Sequence, residues 1–177
     1  VDENSIGALN TIANATTGTV TASFNSLNAT QADTLTTGAG DAITVTIEAT
    51  GGVDTATAAL LTSLDGKTSV NVAASNVELI NNSNLTQMSA VLTAHTGAGS
   101  IVIDGDYDVT LTGTYDESNI AELNAIATDT TGTLTATINS LNATQADNLT
   151  TLNAQDAITI TLEATGGVDT ATAAQLT

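Results

Sequence analysis

Three carboxylates alternate along one short stretch, Asp104, Asp106 and Asp108, in the run DGDYD. Oxygen ligands at this spacing, around a glycine that lets the chain turn, suit a hard cation. Asp104, Asp106 and Asp108 are therefore the candidate metal ligands, with calcium as the candidate ion. The EF-hand pattern is incomplete: Val109 stands at the sixth loop position and Tyr115 at the twelfth. The same residues also suit a solvated turn, because Asp bonds readily to nearby backbone. Asp2 and Glu3, matched by Asp116 and Glu117, read as acids of a helix first turn.

A second chemistry would come from threonine. Thr19 and Thr21, Thr44 and Thr46, Thr110 and Thr112 form Thr-x-Thr pairs, continued at Thr133, Thr135 and Thr137 and at Thr159 and Thr161. Stacked strands would align them into a lattice of hydroxyls and methyls of the kind that binds ice, although threonine is also simply a good exposed strand residue. Asn14, Asn28, Asn81, Asn84, Asn142 and Asn148 each open an Asn-x-Ser/Thr triplet, an acceptor for glycosylation in cells that carry it out. A chain this rich in Asn and Thr also produces such triplets by composition. His95 has no cysteine or second histidine to join it as a zinc ligand, and it falls near a helix C-terminus. No nucleophile elbow, phosphate loop or histidine-bearing catalytic pair occurs, so the chain reads as a non-enzyme.

The elements that must position these residues are set by a repeat. Residues 1–37 match 115–151 at 25 of 37 positions, and residues 41–62 match 156–177 at 19 of 22. The long period is thus 114 to 115 residues. Residues 1–114 form one full long repeat of about four βα coils, and 115–177 form the first half of the next.

Within the period, apolar residues alternate at Val20, Ala22 and Phe24, at Ile43, Val45 and Ile47, at Val70 and Val72, and at Ile101 and Ile103. This is the period-two pattern of a strand with one buried face. Helical spacing precedes each strand, in Ile6, Leu9, Ile12 and Ala13, in Val53, Thr57, Leu60, Leu61 and Leu64, and in Leu85, Met88, Val91 and Leu92. Ile120, Leu123 and Ile126 repeat the first of these, while Leu27–Leu35 is the weakest. Gly18, Gly38, Gly40, Gly66, Gly97, Gly99 and Gly132 fall where left-handed helix caps are expected, and Asp54 is placed to cap a helix N-terminus. Ser69–Ile80 and Ser100–Gly113 read as strand–turn–strand protrusions.

Strands joined by helical crossovers are parallel, with right-handed connections. The fold class is therefore α/β: a repetitive right-handed α/β solenoid, with a parallel sheet on one side and short helices on the other. A β-helix, or tandem small α/β domains, is the alternative.

Composition narrows the function classes. Nineteen acidic residues stand against one basic residue, for a net charge of −18, so nothing is available to neutralise phosphates and nucleic acid is excluded as a partner. An anionic membrane surface would repel the chain, and no run approaches the roughly 20 apolar residues of a membrane span. Divalent cations are the natural small partners. Aromatic residues make up only 2%, which suits thin repeating layers better than one deep core. Cysteine is absent, so there is no disulfide framework.

The run TTGTVTASFNSLNATQADTLTT followed by DAITVTIEATGGVDTATAALLT resembles the Thr/Ala-rich arrays of giant surface proteins in aquatic bacteria, marine cyanobacteria among them. That resemblance implies an extracellular, cell-surface location and a structural or adhesive role. The expected function is a structural segment of a secreted surface, filament or adhesin protein that self-associates into a filament or layer. The alternative is a binding module, through calcium-dependent adhesion or through ice binding by the threonine rows.

Overall fold

The computed structural model describes residues 2–48, 53–150 and 152–162. The fold is α/β, with two parallel sheets and short helices. After a 3-10 turn, α1 (Ile6–Ala15) leads to β1 (Thr21–Leu27), α2 (Ala29–Asp33) and β2 (Ala42–Ile47). Next come β3 (Thr55–Ala56), α3 (Ala58–Asp65), β4 (Val72–Ala73), β5 (Leu79–Ser83) and α4 (Leu85–Leu92). A π turn at Thr93–Ala98 precedes β6 (Ile101–Val102) and β7 (Asp108–Leu111). The described chain closes with α5 (Ile120–Asp129), β8 (Leu134–Leu141), α6 (Ala143–Ala146) and β9 (Ala157–Leu162).

A single sheet was the expectation, and two are found. The first has the order β1-β2-β4-β6 and the second the order β3-β5-β7-β8-β9. Every strand pairing is parallel, and each paired residue lies 20 to 29 positions from its partner. Thr21 meets Ala42, Thr46 meets Ala73, Val72 meets Ile101, Val109 meets Leu134, and Thr135 meets Ala157. The two stretches read as strand–turn–strand protrusions are corners instead. β4 and β6 belong to the first sheet while β5 and β7 belong to the second, so 74–78 and 103–107 carry the chain from one sheet to the other. The physical reason is that β4 and β5 each find a parallel neighbour in the following segment, which leaves no antiparallel pairing to make between them.

The alternating strands follow their pattern. β2 buries Ile43, Val45 and Ile47 and turns Thr44 outward, and β8 buries Leu134, Ala136, Ile138 and Leu141. Ser140 and Asn82 adopt left-handed backbone, at φ 61° and 48°. Both sit where the register slips, between Ile138 and Leu141 and between Ile80 and Ser83, as a bulge requires.

The helices are short and are fixed by caps and packing rather than by length. Asn28, Asn84 and Asn142 each accept from the N–H of a glutamine three residues on, while that glutamine's side chain accepts from the Asn N–H, a complete capping box. The helix expected across Val53–Leu64 begins only at Ala58, capped by Thr57. Asp54 therefore caps nothing; its carbonyl instead accepts from the N–H groups of Glu78 and Leu79. α2, α3, α4 and α5 pack side by side in that order.

The core is aliphatic, with Tyr107 and Phe24 its largest fully buried side chains and Tyr115 at its margin. Buried hydroxyls join neighbouring segments. Thr68 Oγ1 accepts from Ile43 N–H and donates to its carbonyl, at 3.0 and 2.8 Å, and Ser83 Oγ accepts from Ala58 N–H at 2.8 Å. Thr37 donates to Lys67 O at 2.8 Å. No buried polar side-chain atom lacks a partner among the described residues.

Of the expected glycine caps, only Gly99 has left-handed backbone, at φ 64°. Gly132 has a different role, since a Cβ there would lie 2.6 Å from the carbonyl oxygen of Asp106. Gly18, its counterpart in the first copy, has only Thr16 Oγ1 nearby, at 3.5 Å. Gly132→Ala is expected to destabilise the fold by about 2 kcal/mol or more through overpacking. Gly18→Ala is expected to change it by less than about 0.5 kcal/mol. Urea unfolding of the two variants reads the contrast, and equal losses would contradict the close approach at Gly132.

Candidate functional site

DGDYD forms the corner between β6 and β7. Asp104, Asp106 and Asp108 are exposed, while Tyr107 between them points inward and is buried. Asp106 and Asp108 line a shallow surface depression with Val53, Val77, Glu78 and Leu79, and Asp104 is not part of it. The backbone of the corner is engaged by Thr130–Thr133 of the next segment. Gly105 O accepts from Thr131 N–H at 2.7 Å, Tyr107 O accepts from Thr130 Oγ1 at 2.5 Å, and Val109 N–H donates to Thr133 O at 2.9 Å. One Asp108 carboxylate oxygen accepts from Thr133 N–H at 2.6 Å. Among the described residues, no group of three or more His, Asp or Glu side chains is placed to hold a metal ion. The corner thus uses its polar atoms to hold the following segment.

Beneath it lies a small polar cluster. Tyr107 donates its hydroxyl to Asp129 Oδ2 at 2.6 Å. His95 Nε2 is 4.0 Å from that oxygen, and its Nδ1 is 3.0 Å from Ile101 O. Burial, then the adjacent Asp129 carboxylate, pushes the Tyr107 phenol well above its ordinary range, so it stays a neutral donor. The cluster fastens the π turn, the corner and the end of α5 to one another.

Carboxylates elsewhere make similar ties. Asp41 accepts from Val20 N–H at 2.8 Å and from Gly38 N–H at 3.0 Å, and these bonds hold its carboxyl below the usual range. Asp156, its counterpart, accepts from Leu134 and Asn153 N–H, both at 2.7 Å. Lys67 donates to Asp33 Oδ1 at 2.7 Å and to its carbonyl. Bonds from Lys67 and from Ser63 keep the Asp33 carboxyl low. Asp116 is held low by bonds from Ser118.

The threonine pairs divide between the two sheets. Thr110 pairs with Thr135 and Thr137 with Thr159, whereas Thr21 meets Ala42, Thr46 meets Ala73, and Thr135 meets Ala157 on its other side. Alanine therefore interrupts the rows. Three of the Asn-x-Ser/Thr triplets begin at the capping residues Asn28, Asn84 and Asn142, whose side-chain oxygens are engaged with the helix backbone. The sequence signal that reveals these caps is Asn-x-Thr-Gln, which the triplet reading passes over.

No protein-family model, curated protein or solved structure matches the chain. Among the described residues, no helix is long and apolar enough to cross a membrane.

Because no group of three or more acidic side chains among the described residues is placed to hold a metal ion, and Asp108 already accepts from Thr133 N–H, millimolar calcium is expected to leave the melting temperature where equal magnesium leaves it. A saturable rise specific to calcium, lost in Asp106→Asn, would contradict this.

Proposed function

We propose that the chain is a structural segment of a secreted cell-surface or filament protein, and that it performs no catalysis. The observation that carries this reading is the pairing pattern: each strand takes its neighbour from 20 to 29 residues along the chain, always in parallel. Such pairing makes the chain advance along one axis and leaves no natural stopping point. We read the arrangement as a right-handed α/β solenoid, two-sheeted rather than one-sheeted, whose helices form the remaining side. The hand follows from the general preference of parallel crossovers.

Two further features support a scaffold. Six hydroxyl and carboxylate side chains are bonded to the backbone of the adjacent segment, at Thr68, Ser83, Thr130, Asp41, Asp108 and Asp156. The charge of −18 keeps long parallel arrays apart and hydrated, which suits an exported polymer. The extracellular placement also fits the resemblance of the repeat to bacterial surface arrays.

Immuno-electron microscopy of producing cells with an antibody to this chain tests the proposal. Label is expected on filaments or a layer outside the cell. Label confined to the cell interior, or to dispersed compact particles, would overturn it.

A further inference from the structure

An aspartate followed by glycine is open to reaction with its own backbone, because glycine has no side chain to keep its nitrogen from the preceding carboxyl. The sequence has two such steps, Asp65–Gly66 and Asp104–Gly105, and the fold treats them in opposite ways. Asp65 closes α3, and Gly66 N–H donates to the carbonyl of Thr62 at 3.2 Å, so its nitrogen is fixed in the helix bonding pattern. Asp104 and Gly105 are both exposed at the corner between β6 and β7, outside any helix or strand. Among the described residues, neither the Asp104 carbonyl nor the Gly105 N–H takes part in a hydrogen bond. A Cβ at Gly105 would meet nothing within 4 Å, so the glycine faces open space.

The next peptide is the reverse case. The Gly105 carbonyl accepts from Thr131 N–H at 2.7 Å and from Thr131 Oγ1 at 3.2 Å, and Thr130 Oγ1 reaches it at 3.5 Å. Thr130 and Thr131 belong to the second long repeat, whereas Gly105 belongs to the first. An unbonded peptide thus adjoins a carbonyl that fastens the seam between the repeats.

We infer that Asp104–Gly105 is a self-modification site, which converts to isoaspartate and thereby loosens the seam between the two long repeats. The Gly105 nitrogen attacks Asp104 Cγ. Its proton and the carboxyl hydroxyl leave as water, and a five-membered imide closes. Water, the only co-reactant, then reopens the ring. Opening at the original backbone carbonyl routes the chain through Cγ, with one more methylene in its path and no net change of mass. The longer path displaces the Gly105 carbonyl from Thr130 and Thr131. The seam cannot follow, because Gly132 is already pressed against the carbonyls of Asp106 and Tyr107. The inference goes beyond the structural reading above and does not rest on it.

Peptide mapping of the full chain after weeks in mildly acidic buffer tests the site. Isoaspartate is expected at position 104, with the imide, lighter by one water, as its precursor, and several-fold less at position 65. Gly105→Ala is expected to leave circular dichroism unchanged and to slow the conversion several-fold, since a methyl crowds the attacking nitrogen. Asp104→Glu, whose longer side chain disfavours the ring, replaces it if the fold is altered. Hydrogen exchange of the aged chain should be faster at the amides of Thr131 and Val109 and unchanged in α3. An aged chain without isoaspartate at 104, or with as much at 65, would overturn the site. Isoaspartate at 104 with the protection of Thr131 unchanged would overturn the loosening.

Discussion

Parallel partner strands cannot be joined by a tight turn, because the chain must first travel back to the starting side. Everything in this structure follows from that constraint. The return path is supplied by short helices and corners, and each strand waits 20 to 29 residues for its partner. No helix among the described residues is long enough to be stable alone; α2, α3, α4 and α6 carry N-terminal side-chain caps, and α2 to α5 pack side by side. The result is a fold in which each segment is finished by the next one.

This dependence explains the composition. An aliphatic core with little aromatic mass gives thin layers, and polar side chains supply the specificity between them. Thr68 bonding both backbone groups of Ile43, Ser83 capping the N–H of Ala58, and Asp41 gripping Val20 all join residues more than 20 positions apart. A buried hydroxyl that lost its partner would cost about 1–3 kcal/mol, so these ties also select against a register slip. The threonines and aspartates that fasten segments, Thr37, Thr68, Thr130, Asp41, Asp108 and Asp156, are apart from Asp108 not the ones that suggested ice or calcium in the sequence.

Much of this was legible in the residues. The alternation in Ala42–Ile47 and Leu134–Leu141 specifies strands because one face is buried and the other is not, and Ala157–Leu162 repeats the sequence pattern of the first. The second sheet was hidden because β3 is two residues long, too short to show a period, and because the corners between β4 and β5 and between β6 and β7 read as turns within protrusions. DGDYD was legible as a turn but not as a corner, since the residues that engage it, Thr130–Thr133, lie about 25 positions away. The weak helix at Leu27–Leu35 is real as Ala29–Asp33, and its signal was the cap Asn28–Gln31 rather than any apolar stripe. The halves that match in sequence differ in place: β1 and β8 belong to different sheets, because the corner at 103–107 brings β8 onto β7 rather than onto β6.

If each segment is finished by the next, protection of the backbone must rise from the ends toward the middle. Native-state hydrogen exchange of the dilute chain, resolved by residue, measures this directly. Amides of β5, β7 and β8 are expected to exchange slowest, with β1 and β9 exchanging faster despite their matching sequences. Equal protection of β1 and β8, or an abrupt loss of protection between β5 and β7, would contradict the account.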